Sequence, residues 1–357
     1  MILMPVMRGY WRVNGVIKSF TRSLCVHCPV CSAHSALPLP HRMAAGSMCI
    51  NPLHEVATML KSILMVWVLV QNVPATQEAY EAYLGYQIAD RGVISAELAE
   101  AIKRPRLANR SYVTLVPKSG PQVGIRIIEG ADQGYQPMRR LGWSAIELLV
   151  KDPEQLRSNL SGSAFTHLQG PDFLTEQKNI LAMQVYGPSQ ELFYLTHMID
   201  PALSFLAPQP SPEPVGHSFI MVMGSHNIEA SVAFFKQHFD NPVVGPIPYR
   251  IGVLSDAYGV SNTAEHPLAL ISMSDGYGIE IDQYPAAATP VPAALGARGG
   301  VILVSLSVDP EGITQALPWT LSYQDADDSS RGGIVTLPSG TPLELLWSQP
   351  VLPQLGK

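Results

Sequence analysis

The sequence predicts an α+β protein made of one strand–helix–strand unit repeated four times, and three observations carry that reading. An apolar run ending in Asn or Asp and followed by a helical pattern occurs four times: "MVWVLVQN" to Asn72, "AIELLVKD" to Asp152, "FIMVMGSHN" to Asn227 and "ILVSLSVD" to Asp309. These markers fall 75 to 82 residues apart, the mark of a repeated supersecondary unit. With 31 prolines and 28 glycines in 357 residues, the chain favours short strands and turns over long helices.

Each element follows in order. The first run of a unit reads as a buried strand; the longest, Ile63 to Val70, is far below the ~18 residues needed to span a bilayer. Asn or Asp then caps a helix, because its side-chain oxygen accepts a backbone N–H left unpaired in the first turn. Pro153 and Pro310 sit directly behind two of the caps, where a missing N–H costs nothing. Tyr80, Tyr83 and Leu84 in the first unit, and Val232, Phe235 and Phe239 in the third, have the spacing of a helix laying one face on a sheet.

Short β-type runs close each unit: 111–116 and 123–129 in the first, 179–187 and 191–198 in the second, 249–255, 267–274 and 278–284 in the third, 332–338 and 342–347 in the fourth. Pro-rich "APQPSPEP" (207–214) and the Ala/Pro stretch 285–296 separate the later units. Pairing consecutive units predicts two domains, 59–200 and 216–350, joined by a linker over 201–215, each of a size that supports one core.

Residues 1–58 stand outside the repeat. The first 54 contain no Asp or Glu but carry Arg8, Arg12, Lys18, Arg22, Arg42 and all four cysteines. "CVHCPVCSAH" (25–34) has Cys-x2-Cys spacing suited to zinc, but a closed site draws a second ligand pair from further along, and Cys49 stands alone. The segment reads as a disordered extension: a translated upstream stretch ahead of Met43, Met48 or Met59, a mitochondrial-type transit peptide, or a small module. The protein is expected in the cytoplasm, or in mitochondria if the leader is a transit peptide. The formal charge of −6, with every acid downstream of residue 54, argues against a nucleic-acid partner, and nothing points to a membrane. No phosphate loop, nucleophile elbow, dinucleotide fingerprint or HExxH is present.

The stretches 70–92 and 227–239, with "SDGYGIEIDQYP" (274–285) and "PSGTPLELLW" (338–347), resemble the vicinal oxygen chelate superfamily, which includes glyoxalase I, the bleomycin-resistance proteins and the extradiol dioxygenases. The resemblance covers about 62–350. It implies four βαβββ modules paired into two half-open barrels, each with a concave site. Metal-dependent members place His or Gln on a module's first strand and Glu on its last, so that a divalent iron, manganese, zinc or nickel ion can chelate substrate oxygens.

On that resemblance, Glu280 and Glu344 fall at the last-strand Glu position and are the expected metal ligands or general bases. Tyr194 and Arg126 fall there in the second and first units, so the N-terminal half is expected to be degenerate. Counting seven residues back from each cap gives Met65, Ala145, Ile220 and Ile302 on the first strands, none of which binds a hard cation. His217, three residues before Ile220, is the third candidate ligand. Arg250, Tyr249, Tyr258 and Tyr277 are candidate substrate-orienting residues. The expected function is a lyase, isomerase or dioxygenase step on a small oxygenated, aromatic-type molecule; the alternative is a metal-free protein that sequesters a hydrophobic compound. Assembly into a homodimer is left open.

Overall fold

A computed structural model describes residues 60–131, 134–290, 299–309, 316–324 and 331–347. The 1–58 extension, its cysteine cluster and the helix expected behind Asp309 lie outside the described residues.

The first module runs β1 (Leu60–Val70), α1 (Val73–Ala79), β2 (Tyr86–Val93), α2 (Ala96–Ala101), β3 (Ser111–Pro117) and β4 (Gly124–Glu129). The second has β5 (Gly142–Val150), α3 (Pro153–Leu160), β6 (Thr166–Phe173), β7 (Ile180–Tyr186) and β8 (Leu192–Met198). The third has β9 (Val215–Ser225), α4 (Ile228–His238), β10 (Val243–Tyr249), α5 (Gly252–Tyr258), β11 (His266–Ser272) and β12 (Gly278–Gln283). The fourth supplies β13 (Gly300–Val308), β14 (Trp319–Gln324), β15 (Arg331–Thr336) and β16 (Pro342–Leu346). The caps behave as the sequence dictates. Asn72 accepts from Ala75 N at 2.9 Å, Asp152 from Gln155 N at 3.0 Å and Asn227 from Ala230 N at 2.9 Å. Among the described residues no helix is long and apolar enough to cross a membrane.

The strands form two eight-stranded sheets. Sheet I has the order β14-β15-β16-β13-β1-β4-β3-β2 and joins the first and fourth modules; sheet II, β10-β11-β12-β9-β5-β8-β7-β6, joins the second and third. Within a module the first and last strands are parallel neighbours, and between modules the two first strands meet antiparallel, β1 on β13 and β5 on β9.

This nesting corrects the expected division into 59–200 and 216–350. The four first strands are interchangeable apolar runs, so their sequences do not specify which two pair. The 201–215 stretch is not a linker between domains either. It joins β8 to β9 of the same sheet, buries Leu206, and is held by Ser211 Oγ donating to Glu213 O at 2.8 Å. The expected strand at 249–255 is also corrected: its second half opens α5, capped at Gly259 with φ 64°, a left-handed conformation that glycine adopts without steric cost.

One core runs through both sheets, with Val66, Val68, Val70, Ile125 and Ile127 from sheet I and Ile146, Leu148, Phe193, Met221 and Met223 from sheet II. The opposite side of sheet I carries a second core. There Met65, Trp67, Leu69, Ile128, Ile302, Leu303 and Ile334 meet Ile94, Ala99, Ile102 and Leu107 from the α2 segment. From Met65 to Val70, alternation along β1 therefore sends even-numbered residues to the shared core and odd-numbered ones to the second core, where α2 packs.

Candidate functional site

Register places the site residues. Each last strand lies beside its module's first strand, setting Arg126 next to Trp67 and Glu344 next to Ser305 in sheet I. The same relation in sheet II sets Tyr194 next to Glu147 and Glu280 next to Val222. The seven-residue count from the caps thus lands two or three residues too early: the first-strand neighbours are Trp67, Glu147, Val222 and Ser305. Glu147 is the functional candidate that this count misses. Its signal was available, since "AIELLV" places one carboxylate inside an otherwise apolar first strand.

In sheet I these side chains share a cavity of about 490 Å³, lined by Met65, Trp67, Ile94, Leu98, Tyr112 and Leu321 around Arg126, Ser305 and Glu344. Arg126 is clamped: its guanidinium carbon lies 3.8 Å from the Tyr112 ring centroid and 4.5 Å from that of Trp67. Each such contact contributes roughly 0.5–2 kcal/mol. Arg126 Nε donates to Thr114 Oγ1 at 2.8 Å, and Nη2 pairs with Asp90 Oδ2 at 3.1 Å. Tyr112 OH also donates to that Asp90 oxygen at 3.1 Å. Among the described residues Nη1 makes no hydrogen bond, so one edge of the fork is left for a ligand. Burial lowers the Arg126 pKa, opposed by Tyr112, Asp90 and Glu344. Across the cavity Trp67 Nε1 donates to Ser305 Oγ at 3.1 Å, and Ser305 Oγ donates to Glu344 Oε2.

Sheet II presents a different set. Glu147, Tyr194, Glu280 and Asp282 are all fully buried. Thr196 Oγ1 donates to Glu147 Oε1 at 2.6 Å, while among the described residues Glu147 Oε2 and Tyr194 OH have no hydrogen-bond partner. Burial pushes the Glu147 carboxyl up to about 7, with Glu280 adding to the effect. Asp282 is likewise raised, by burial first and by Glu280 second.

The expected ligand set of His217, Glu280 and Glu344 does not converge. Glu280 and Glu344 stand in different sheets. Glu280 pairs with Val222, five residues along β9 from His217, or about 16 Å at the rise of a strand. His217 instead packs against Tyr277 at a tilt of 51°, ring centroids 5.4 Å apart, and burial lowers its pKa to about 4. Nor do the four expected substrate contacts assemble. Tyr249 and Arg250 line one cleft with Gln169 and Phe173, whereas Tyr258 donates to Met138 O at 2.9 Å beneath Arg139, and Tyr277 packs on His217.

The topology, with parallel first and last strands in every module and antiparallel first strands between modules, decides the fold. The chain has the vicinal oxygen chelate fold. Glyoxalase I from Zea mays superposes with a TM-score of 0.52 at 12% identity, over 80% of this chain and 92% of that one. The crystal structure of a putative dioxygenase from Bacillus subtilis subsp. subtilis str. 168 superposes with a TM-score of 0.54 at 11% identity, over 82% of this chain and 87% of that one. No protein-family profile and no curated protein matches the sequence.

The resemblance implies a divalent metal, and the donor chemistry tests that implication. In sheet I the four positions offer an indole, a guanidinium, a hydroxyl and one carboxylate. A fixed cation stands where a ligand would have to be, so this set does not fit a divalent ion. In sheet II the donors are carboxylates and a phenol, with Val222 at one first-strand position and no imidazole. Among the described residues no three His, Cys, Asp or Glu side chains are arranged to hold a metal.

Proposed function

We propose that this protein is an enzyme of the vicinal oxygen chelate type that binds a small oxygenated anion in the sheet I cavity, between Arg126 and Glu344, and moves a proton on it in a lyase or isomerase step. The observation that carries this reading is the Arg126 clamp: a half-buried guanidinium fixed between two aromatic rings, with one nitrogen uncommitted and a carboxylate across the same cavity. The volume, about 490 Å³, and the mix of apolar walls with a few converging polar groups suit a small ligand. A guanidinium opposite the reacting carbon stabilises the enolate-like charge that develops when a proton leaves next to a carbonyl. Glu344, positioned by Ser305, is the proton acceptor in this reading. Trp67 and Tyr112 supply faces for a planar or aromatic substituent.

The second reading is a sequestering protein that uses the same cavity without chemistry. It is favoured by the aromatic Trp67 on the first strand of a walled cavity. One experiment separates the two. The protein is titrated with small 2-oxo and aromatic carboxylic acids, and deuterium incorporation next to the carbonyl is followed by NMR in D2O. The enzyme reading predicts binding that Arg126→Gln abolishes, and exchange above background that Glu344→Gln removes while binding persists. Binding with background exchange in the native protein would support sequestration instead.

A further inference from the structure

A second cavity, of about 230 Å³, opens where the α2 segment meets the starts of β5 and β13. It is lined by Ile102, Lys103, Arg104, Arg140, Trp143 and Thr341, among others. Three of these carry positive charge, and no Asp or Glu lines it. The two arginines are not surface decoration. Burial first, and the neighbouring Arg140 second, lower the Arg104 pKa to about 10. Among the described residues the Arg104 guanidinium makes no hydrogen bond and no ion pair. Arg140 Nη2 donates to Gly299 O at 2.8 Å and its guanidinium carbon lies 5.1 Å from the Tyr135 ring centroid, but its Nε is buried without a partner.

Two guanidiniums facing one cavity repel each other, and a buried donor left unpaired carries a desolvation penalty. A fold retains such a pair at low cost only when an anion supplies the missing charge and acceptors. Forked N–H donors match tetrahedral oxyanions and carboxylates best. We propose that this cavity binds a phosphate-type oxyanion, free or as the end group of a small molecule, between Arg104 and Arg140, with Lys103 at the rim and the Thr341 hydroxyl as a further polar contact. The site is distinct from the Arg126 cavity and shares no charged residue with it, so either assignment can fail without the other.

The test uses the full chain exchanged into chloride-only buffer. Inorganic phosphate, glycerol 3-phosphate and acetate are titrated at fixed ionic strength by calorimetry, with thermal unfolding in parallel. Saturable binding of inorganic phosphate or of the ester is expected, with a rise in Tm that acetate and chloride do not give. Tighter binding of the ester identifies an end group, and equal binding a free ion. Arg104→Gln and Arg140→Gln are each expected to weaken it at least about tenfold, the order expected for a charged hydrogen-bonding partner, while Arg126→Gln leaves it unchanged. Circular dichroism checks folding of each variant, and Arg104→Lys, which keeps the charge, retains part of the affinity. Absence of saturable binding by native protein, equal responses to all three anions, or unaltered binding in both glutamine variants would overturn the proposal.

Discussion

The two sheets are built on one plan and hold opposite chemistry at equivalent positions. Sheet I places Trp67, Arg126, Ser305 and Glu344 at the four corners of its concave centre; sheet II places Glu147, Tyr194, Val222 and Glu280 there. In sheet I a cation is neutralised by Asp90, stacked on two rings and left facing a cavity. In sheet II carboxylates gather under full burial, and Glu147 responds by holding its proton to about pH 7. The backbone fixes where four side chains meet, and the residue types at those corners decide whether the meeting place presents a cation or buried carboxyls.

The comparison breaks most visibly at Arg126. Arg126→Gln removes the stacked cation, and ligand binding in the sheet I cavity is expected to fall about a hundredfold or more, since a charged hydrogen-bonding partner contributes about 2–3 kcal/mol. Calorimetry with the best acid of the panel measures it.

An effect of similar size is electrostatic and belongs to sheet II. A carboxyl raised from 4.5 to about 7 on folding binds its proton more tightly in the native state. Its contribution is therefore favourable near and below pH 4.5 and is lost as pH rises through 7. That loss is on the order of 3 kcal/mol. Urea denaturation at pH 5 and pH 8 should show a smaller loss of stability across this interval in Glu147→Gln than in the native protein. An equal loss in both would mean that Glu147 does not carry the proton.

A third effect lies at the edges of sheet II. Gly170 in β6 and Gly245 in β10 have φ of +81° and +92°, and an added Cβ would meet Ala182 O and Leu268 O at 2.5 Å. Gly170→Ala and Gly245→Ala are each expected to cost roughly 1–3 kcal/mol in thermal or urea unfolding. Similar values at both would confirm that the two edge strands are structural equivalents. The smallest effect is Trp67→Phe, which keeps a ring against Arg126 but loses the bond to Ser305 Oγ and the packing of the indole's second ring; roughly 1–2 kcal/mol of stability is expected to go.

The repeat, the helix caps and the last strands were legible because they rest on local rules: apolar runs, Asn or Asp before a helix, and Glu in "GIEI" and "PLEL". The second strand of each module was not. β2, β6, β10 and β14 lie at or next to sheet ends, and "THLQGPDF" and "VVGPIPY" carry a Gly-Pro pair where alternation should be, with the ladder shifting register there. Edge positions tolerate such sequences because one side of the strand needs no partner.

The site was half legible for a related reason. Glu280, Glu344 and Arg126 lie on last strands beside their modules' first strands. Their convergence depended on which first strands pair, and four apolar runs of similar composition do not encode that choice locally. It shows only in the long-range ladders themselves, Val66 opposite Val304 between β1 and β13 and Ile146 opposite Met221 between β5 and β9.

The proposed ligand site lies between the first and fourth modules, on Arg126 and Glu344, while Glu280 lies in the other sheet. The direct measurement is the affinity of one small carboxylic acid for the native protein, Arg126→Gln and Glu280→Gln side by side. Binding lost in Arg126→Gln and kept within about twofold in Glu280→Gln, a difference well below 1 kcal/mol, is the predicted result. Binding that survives Arg126→Gln and disappears in Glu280→Gln would contradict it.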